Sequence, residues 1–164
     1  MKLRRPKKQD EASVLEMMAE FEDYQSPHDG GFWNAEHFDY EEWLESNALM
    51  EAGLAIPENW VPAIQLVAFA DQQAIEFVNV RLRLNEQLLV KGGHIGYSVR
   101  PSQRGKGYAK LMLKEALQLA RQKGIREVLV TCHCSNSASR SVILANGGQL
   151  KDCNKGIERY WIKA

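Results

Sequence analysis

The residues with most chemical potential lie between His94 and Lys123, in HIGYSVRPSQRGKGYAKLMLKEALQLARQK. Within it, Arg104-Gly105-Lys106-Gly107-Tyr108-Ala109 places two glycines and two cations just before a predicted helix. Glycine lets the backbone approach an anion closely, and the first N–H groups of a helix have no intrahelical acceptor. Those donors sit at the positive end of the helix dipole, and Arg104 and Lys106 add formal charge, so the turn suits a phosphate. It is not a P-loop, because Gly107 stands where Ser or Thr would follow the lysine. It is not a dinucleotide fingerprint either, because Lys110 occupies the place of the third glycine.

The flanking pattern positions this turn. His94 to Val99 alternates apolar residues and is β-branched at its end, which predicts a strand. Arg100-Pro101-Ser102 stops it, since proline has no N–H for a ladder and restricts its predecessor. Apolar residues at 109, 112, 113, 116, 117 and 120 then predict a helix that ends at Gly124.

A length of 164 residues suits one domain with a substantial core, over residues 1–164. Apolar content of 45% and charged content of 26% are those of an ordinary globular chain. No apolar run approaches the ~18 residues of a membrane span, and the basic N-terminus lacks the apolar core of a secretory signal. Cys132, Cys134 and Cys153 suggest reduced thiols and a cytoplasmic setting. Cys132-His133-Cys134 has no second ligand pair at zinc spacing, so no metal is expected.

Charge is divided along the chain. Fourteen acids and no Lys or Arg fall between Asp10 and Glu58, whereas sixteen Lys and Arg face five acids from Arg81 onward. The basic half suits a polyanion such as a phosphorylated nucleotide diphosphate, and the acidic half suits a cationic amine or is simply a solvated face. Nucleic acid would also meet a basic half, but aromatic interleaving and a recognisable binding motif are missing.

The remaining elements follow in order. Gln9 to Tyr24 and Tyr40 to Ala52 read as helices, broken by Ser26-Pro27-His28-Asp29-Gly30-Gly31. Val61–Phe69, Ile75–Leu84 and His94–Val99 read as an antiparallel meander. Arg126 to Cys134 is strongly β-prone and is expected beside the central strand, joined by a right-handed crossover. A short helix ending at Gly147-Gly148 follows, then a hairpin from Gln149–Cys153 and Ile157–Lys163 around Asn154-Lys155-Gly156.

Arg104 to Ala109 resembles R-x-x-G-x-A, the pyrophosphate-binding motif of the GNAT acyl-CoA-dependent N-acetyltransferases. Tyr97-x-Val99-x-Pro101 resembles that superfamily's pantetheine-pairing strand. Asn136 and Ser139 match its second signature, N-x-x-S-x-x-[LV]-x-x-x-x-G. The motifs cover about residues 94–148, and the order of elements extends the likeness over nearly the whole chain. The resemblance implies an α+β fold with a mixed central sheet of about six to seven strands flanked by helices. It implies acetyl-CoA as donor, held by Tyr97, Ser98, Val99, Arg104, Gly105, Lys106, Gly107, Tyr108, Ala109, Asn136 and Ser139. It places a variable acceptor side at about residues 9–58, where His28, Phe32, Trp33, His37, Phe38 and Tyr40 are candidates to shape a pocket. A homodimer through the terminal hairpin is compatible with it.

The implied reaction moves an acetyl group from acetyl-CoA to a primary amine. An amine with a pKa near ~10 must first lose a proton, and the thioester oxygen needs a preorganised donor. In the family that donor is a backbone N–H at a bulge of the central strand, here around Tyr97 to Val99. Ile143 occupies the position where many relatives carry a tyrosine acid, and Gly148 stands where they often carry phenylalanine. Tyr97, Tyr108 or Tyr160 is the replacement acid, unless the thiolate leaves unassisted. Glu76 and His94 are the candidate bases, with His133 behind them. A small amine is the expected acceptor: an amino acid, polyamine, antibiotic or similar metabolite. A protein N-terminus and a non-catalytic acyl-CoA-binding module are the alternatives.

Overall fold

The two most apolar runs of the chain become strands buried on both faces, which requires helices on each side. In the computed structural model, which describes residues 1–31, 33 and 36–164, these are β2 (Ala63–Ala70) and β3 (Gln73–Arg81). Asp71 and Gln72 join them, both with positive φ, as a two-residue primed turn requires. Strand β1 (Lys2–Arg4) pairs with β2, and β4 (Ile95–Val99) pairs with β3, giving the antiparallel order β1-β2-β3-β4.

Helices α1 (Glu11–Asp23) and α2 (Tyr40–Ala52) cover one face of this sheet. Val14, Met17, Phe21 and Trp43 pack there on Val67 and Phe77. Helix α4 (Tyr108–Gln122) covers the other face, burying Met112, Leu113, Ala116, Leu117 and Ala120 at the expected spacing. Each large apolar side chain so buried contributes about 1.5–3 kcal/mol relative to exposure. Helix α3 (Glu86–Val90) is a short turn before β4, capped by the Asn85 side chain on the Leu88 N–H.

Strands β5 (Glu127–His133), β6 (Gln149–Asn154) and β7 (Ile157–Lys163) form a second antiparallel sheet in the order β5-β7-β6. Helix α5 (Ser137–Ala145) packs against β5 and α4. The turn between β6 and β7 is Lys155-Gly156, one residue shorter than the spacing predicts. The α+β class and seven strands agree with expectation, but the single mixed sheet is replaced by two antiparallel ones.

The two sheets meet at a local clasp. His94 N–H donates to Leu129 O at 2.8 Å, and His94 Nδ1 accepts the Leu129 N–H at 2.9 Å. Both backbone groups of Leu129 are thereby used at the foot of β4. Gly93 lies so close that a Cβ would sit 2.3 Å from Leu129 O. Beyond this clasp β4 and β5 share no ladder. Among the described residues no helix is long and apolar enough to cross a membrane.

Candidate active site

The bonding pattern of β4 decides which of its backbone groups are free. Arg81 N–H donates to His94 O at 2.6 Å, and Arg100 N–H donates to Ile75 O at 2.8 Å. Such bonds recur at alternate residues of an antiparallel pair, so Gly96 and Ser98 turn their backbone groups to β3. Those of Tyr97 and Val99 point to the opposite edge, which has no strand partner. The expected bulge is not in this strand. The register shift falls at Ala68/Phe69, between β2 and β3. Free N–H groups arise here because β4 ends its sheet.

That edge opens on a cleft of about 560 Å³, lined by Tyr97 and Ser98 on one wall and Thr131, Cys132, Asn136 and Ser139 on the other. Tyr97 Oη and Ser139 Oγ share a hydrogen bond of 2.8 Å. Burial pushes the Tyr97 phenol well above its ordinary value, against the lowering effect of Ser139, so it stays protonated. Asn136 caps α5, its Oδ1 accepting the Ser139 N–H at 3.0 Å, which leaves its amide NH2 as the remaining donor.

Past Val99 the chain enters the glycine turn. Arg104 Nε donates to Val99 O at 3.2 Å and Arg104 Nη2 to Ser26 Oγ at 2.7 Å, while Lys106 Nζ reaches Gln103 Oε1 at 3.0 Å. Gly105 and Gly107 have φ of +77° and +81°, and a Cβ on either would meet nothing within 4 Å. Helix α4 starts without a side-chain cap. Leu111 is the first residue whose N–H reaches back into the turn, to Gly107 O at 3.4 Å. Tyr108 and Ala109 are half-buried, Tyr108 against the main core. The turn is therefore an open shell of donors at a positive helix end.

Two expected bases lie away from the cleft. Glu76 is fully buried on the face of β3 toward α4, with neither carboxyl oxygen hydrogen-bonded among the described residues. Burial pushes it up to about 8, which favours the protonated, neutral form near pH 7. His94 is lowered to about 4 by burial and by Arg81, and it is committed to Leu129. Neither side chain lines the cleft, whereas the exposed His133 does. Ile143 is wholly buried, so the usual tyrosine position is part of the core. Tyr160 is buried with its hydroxyl on Glu158 at 3.1 Å.

Asp29, read from the sequence only as part of a turn, is the carboxylate beside β4. Its N–H donates to Ser98 Oγ, and its Oδ1 accepts Arg81 Nη2 at 3.1 Å and Gly30 N–H at 2.7 Å. It sits directly over Gly96, where a Cβ would come within 2.6 Å of Oδ1. The Asp29 side chain is 50% exposed while that of Arg81 is 7% exposed, so a buried cation holds a reachable anion. The cue available in sequence was Gly96, small at a point where another segment crosses the strand.

Of the acceptor-side aromatics, His28 lines the cleft and stacks on Trp33 at 3.8 Å between ring centroids. Phe38 and Tyr40 join the α1–α2 core instead, and Tyr40 Oη donates to Lys7 O at 2.6 Å. His37 is exposed, and Phe32 lies outside the described residues.

The same architecture occurs in solved structures. The PaiA N-acetyltransferase of Thermoplasma acidophilum, in complex with coenzyme A, is 20% identical with a TM-score of 0.61, over 99% of this chain and 98% of that one. YncA of Salmonella typhimurium, a putative acetyltransferase with acetyl-CoA, is 17% identical with a TM-score of 0.62, over 99% and 92%. A Salmonella typhimurium acetyltransferase that modifies the N-terminal serine of ribosomal protein L7/L12 is 16% identical with a TM-score of 0.67, over 99% and 94%. A search of curated protein sequences finds no significant match. A family profile described as "Acetyltransferase (GNAT) domain" matches residues 1–149. With its uncapped glycine turn and its open central edge, the chain belongs to the GNAT acetyltransferase domain family.

Proposed function

We propose that the protein transfers the acetyl group of acetyl-CoA to the primary amine of a small molecule. The observation that carries this reading is the unpaired outer edge of β4, which faces Asn136 and Ser139 and whose chain continues through Pro101–Gln103 into the open turn before α4. The fit is chemical at three points. The free backbone groups of Tyr97 and the free N–H of Val99, whose carbonyl already accepts Arg104 Nε, suit an amide-bearing arm laid along the strand. The N–H groups from Gly105 onward, with Arg104 and Lys106, suit a pyrophosphate. Asn136 offers its amide NH2 to the same arm.

Acetyl-CoA supplies an activated acyl group and a thiolate leaving group. The chain's residues supply position and protons. Asp29, fixed by Arg81 and Gly30, attracts an ammonium to the acceptor side of β4 and takes up its proton, directly or through one water. This role replaces those expected of Glu76 and His94. The N–H groups on the outer edge of β4 stabilise negative charge on the carbonyl oxygen. Tyr97 Oη donates a hydrogen bond toward the departing sulfur while Ser139 holds its orientation. The fold does not choose the acceptor, since one neighbour acts on a protein N-terminus. The choice lies in the side chains beside Asp29.

The test is calorimetric titration with acetyl-CoA, then free-thiol release on the same sample against pooled small amines and N-terminal peptides. Binding with release from a small-amine pool is the expected result. Release with peptides only would move the acceptor to proteins. Binding without any release would favour the non-catalytic module, and absence of binding would overturn the reading.

A further inference from the structure

A second cavity, of about 450 Å³, lies on the α2 face of the first sheet. Trp43, Asn47 and Met50 of α2 form one side, Trp60 another, and Ala63 and Asn79 the floor. Arg81 and Leu88 line both this chamber and the cleft, so the two share a wall. Asp29, bonded to Arg81 at 3.1 Å, stands at that wall on the cleft side.

The chamber's chemistry is selective. None of its described lining residues is Asp or Glu, and Arg81 is the one charged residue among them. Three buried side-chain atoms in its walls have no hydrogen-bond partner: Trp43 Nε1, Asn47 Nδ2 and Asn79 Oδ1. Buried polar atoms are nearly always paired, so two orphan donors and an orphan acceptor in side chains around one cavity are unused hydrogen-bonding capacity that a polar ligand group can take up once those side chains turn toward it. A mostly apolar chamber with a few polar groups is the usual design of a small-molecule site, and its volume is in the usual range.

We infer that the chamber is the acceptor's specificity pocket and takes a small monoamine with an aromatic or branched apolar body carrying one neutral polar group. The body fills the chamber, the polar group meets the orphan atoms, and the amino group reaches Asp29. This rests on the proposed acetyl transfer. A diamine or polyamine is rejected, because its second cation would enter an apolar chamber beside Arg81 with no carboxylate to pair it. A peptide is a poorer fit, because the chain continuing from its amine-bearing carbon needs more room than a chamber of about 450 Å³ gives.

The probes are tyramine and 2-phenylethylamine, set against putrescine, spermidine and a tripeptide with N-terminal phenylalanine. Tyramine is expected to show a kcat/KM at least tenfold above spermidine and above the peptide. Ala63→Leu, which narrows the chamber from its floor, should raise KM for tyramine tenfold or more without altering acetyl-CoA affinity by calorimetry. Met50→Trp, at a half-buried position, is the second variant should the first fold poorly. Tyramine binding is also read directly from the fluorescence of Trp43 and Trp60, with no turnover required. Preference for spermidine or the peptide, unchanged KM in both variants, or no fluorescence response to tyramine overturns the inference. Should acetyl-CoA fail to bind, the acetyl-transfer reading falls, and the fluorescence titration alone decides the chamber.

Discussion

Tyr97 and Ser139, 42 residues apart in sequence, share a hydroxyl–hydroxyl hydrogen bond of 2.8 Å that spans the cleft from β4 to α5. The bond orients a phenol that burial keeps protonated, at a position where Ile143 supplies no acid. In Tyr97→Phe we expect thiol release to slow about 10²-fold, the scale of one positioned acid. Acetyl-CoA affinity should hold, and stability should fall by about 1 kcal/mol for the lost bond. An unchanged rate would remove Tyr97 from the chemistry.

Asp29→Asn keeps the shape of the side chain and removes its charge. Its hydrogen bonds to Gly30 N–H and Arg81 can persist through the amide oxygen, so the fold is expected to survive. The rate with an amine acceptor should drop about 10²-fold or more while acetyl-CoA affinity stays constant. Restoration of rate at high pH, where the free amine needs no base, would identify the lost step as proton removal. A variant with ordinary activity would return the base to His133 or to solvent.

Gly107→Glu tests the turn. A side chain at φ +81° costs about 1–3 kcal/mol of backbone strain, although open space surrounds the site. The negative charge would stand among the donors at the start of α4. We expect calorimetry to register no acetyl-CoA binding while circular dichroism retains the native spectrum. Unchanged affinity would separate this turn from coenzyme recognition.

Glu76 gives the protein a stability slope with a definite sign. Its folded pKa of about 8 lies above the ordinary 4.5, so between those values the native state holds a proton that the unfolded chain has released. Stability therefore falls as pH rises through this window, by up to about 1.4 kcal/mol per unit. His94 acts oppositely, since lowering from 6.5 to about 4 makes its contribution fall as pH drops through that interval. Above pH 6.5 the Glu76 slope stands without it. In Glu76→Gln the melting temperature should lose its decline between pH 6.5 and 8. A decline equal to that of the unaltered protein would mean that Glu76 is not the group titrating.

Periodicity and turn chemistry made most of this architecture legible. The stripe on α4 and the limits of α2 stand where the sequence puts them, because Gly124 and Gly53 stop those helices and apolar spacing sets their buried faces. Strand β1 has three residues and helix α3 five, too few for a period to register. The division of the sheet was hidden for a different reason. It lies in the parting of β4 and β5 beyond the His94–Leu129 clasp, a tertiary arrangement that no local pattern encodes. The residues proposed to hold the coenzyme carried motif signals. Asp29 did not, because its relation to Ser98 spans 69 residues of chain. Glu76 misled because a carboxylate inside an apolar strand reads as functional, and here it is a neutral acid sealed in the core.

The clasp between His94 and Leu129 makes the molecule two hydrogen-bonded ribbons stitched at the foot of β4, where Gly92 N–H also donates to Thr131 Oγ1 at 2.9 Å. Above the stitch, whatever lies along β4 takes the place of an eighth strand, with one ribbon on either side of it. Occupancy and unfolding are then linked quantities, because a ligand that binds only the native form raises its stability by RT ln(1 + L/Kd) at free ligand concentration L. Departure of that ligand withdraws the contribution.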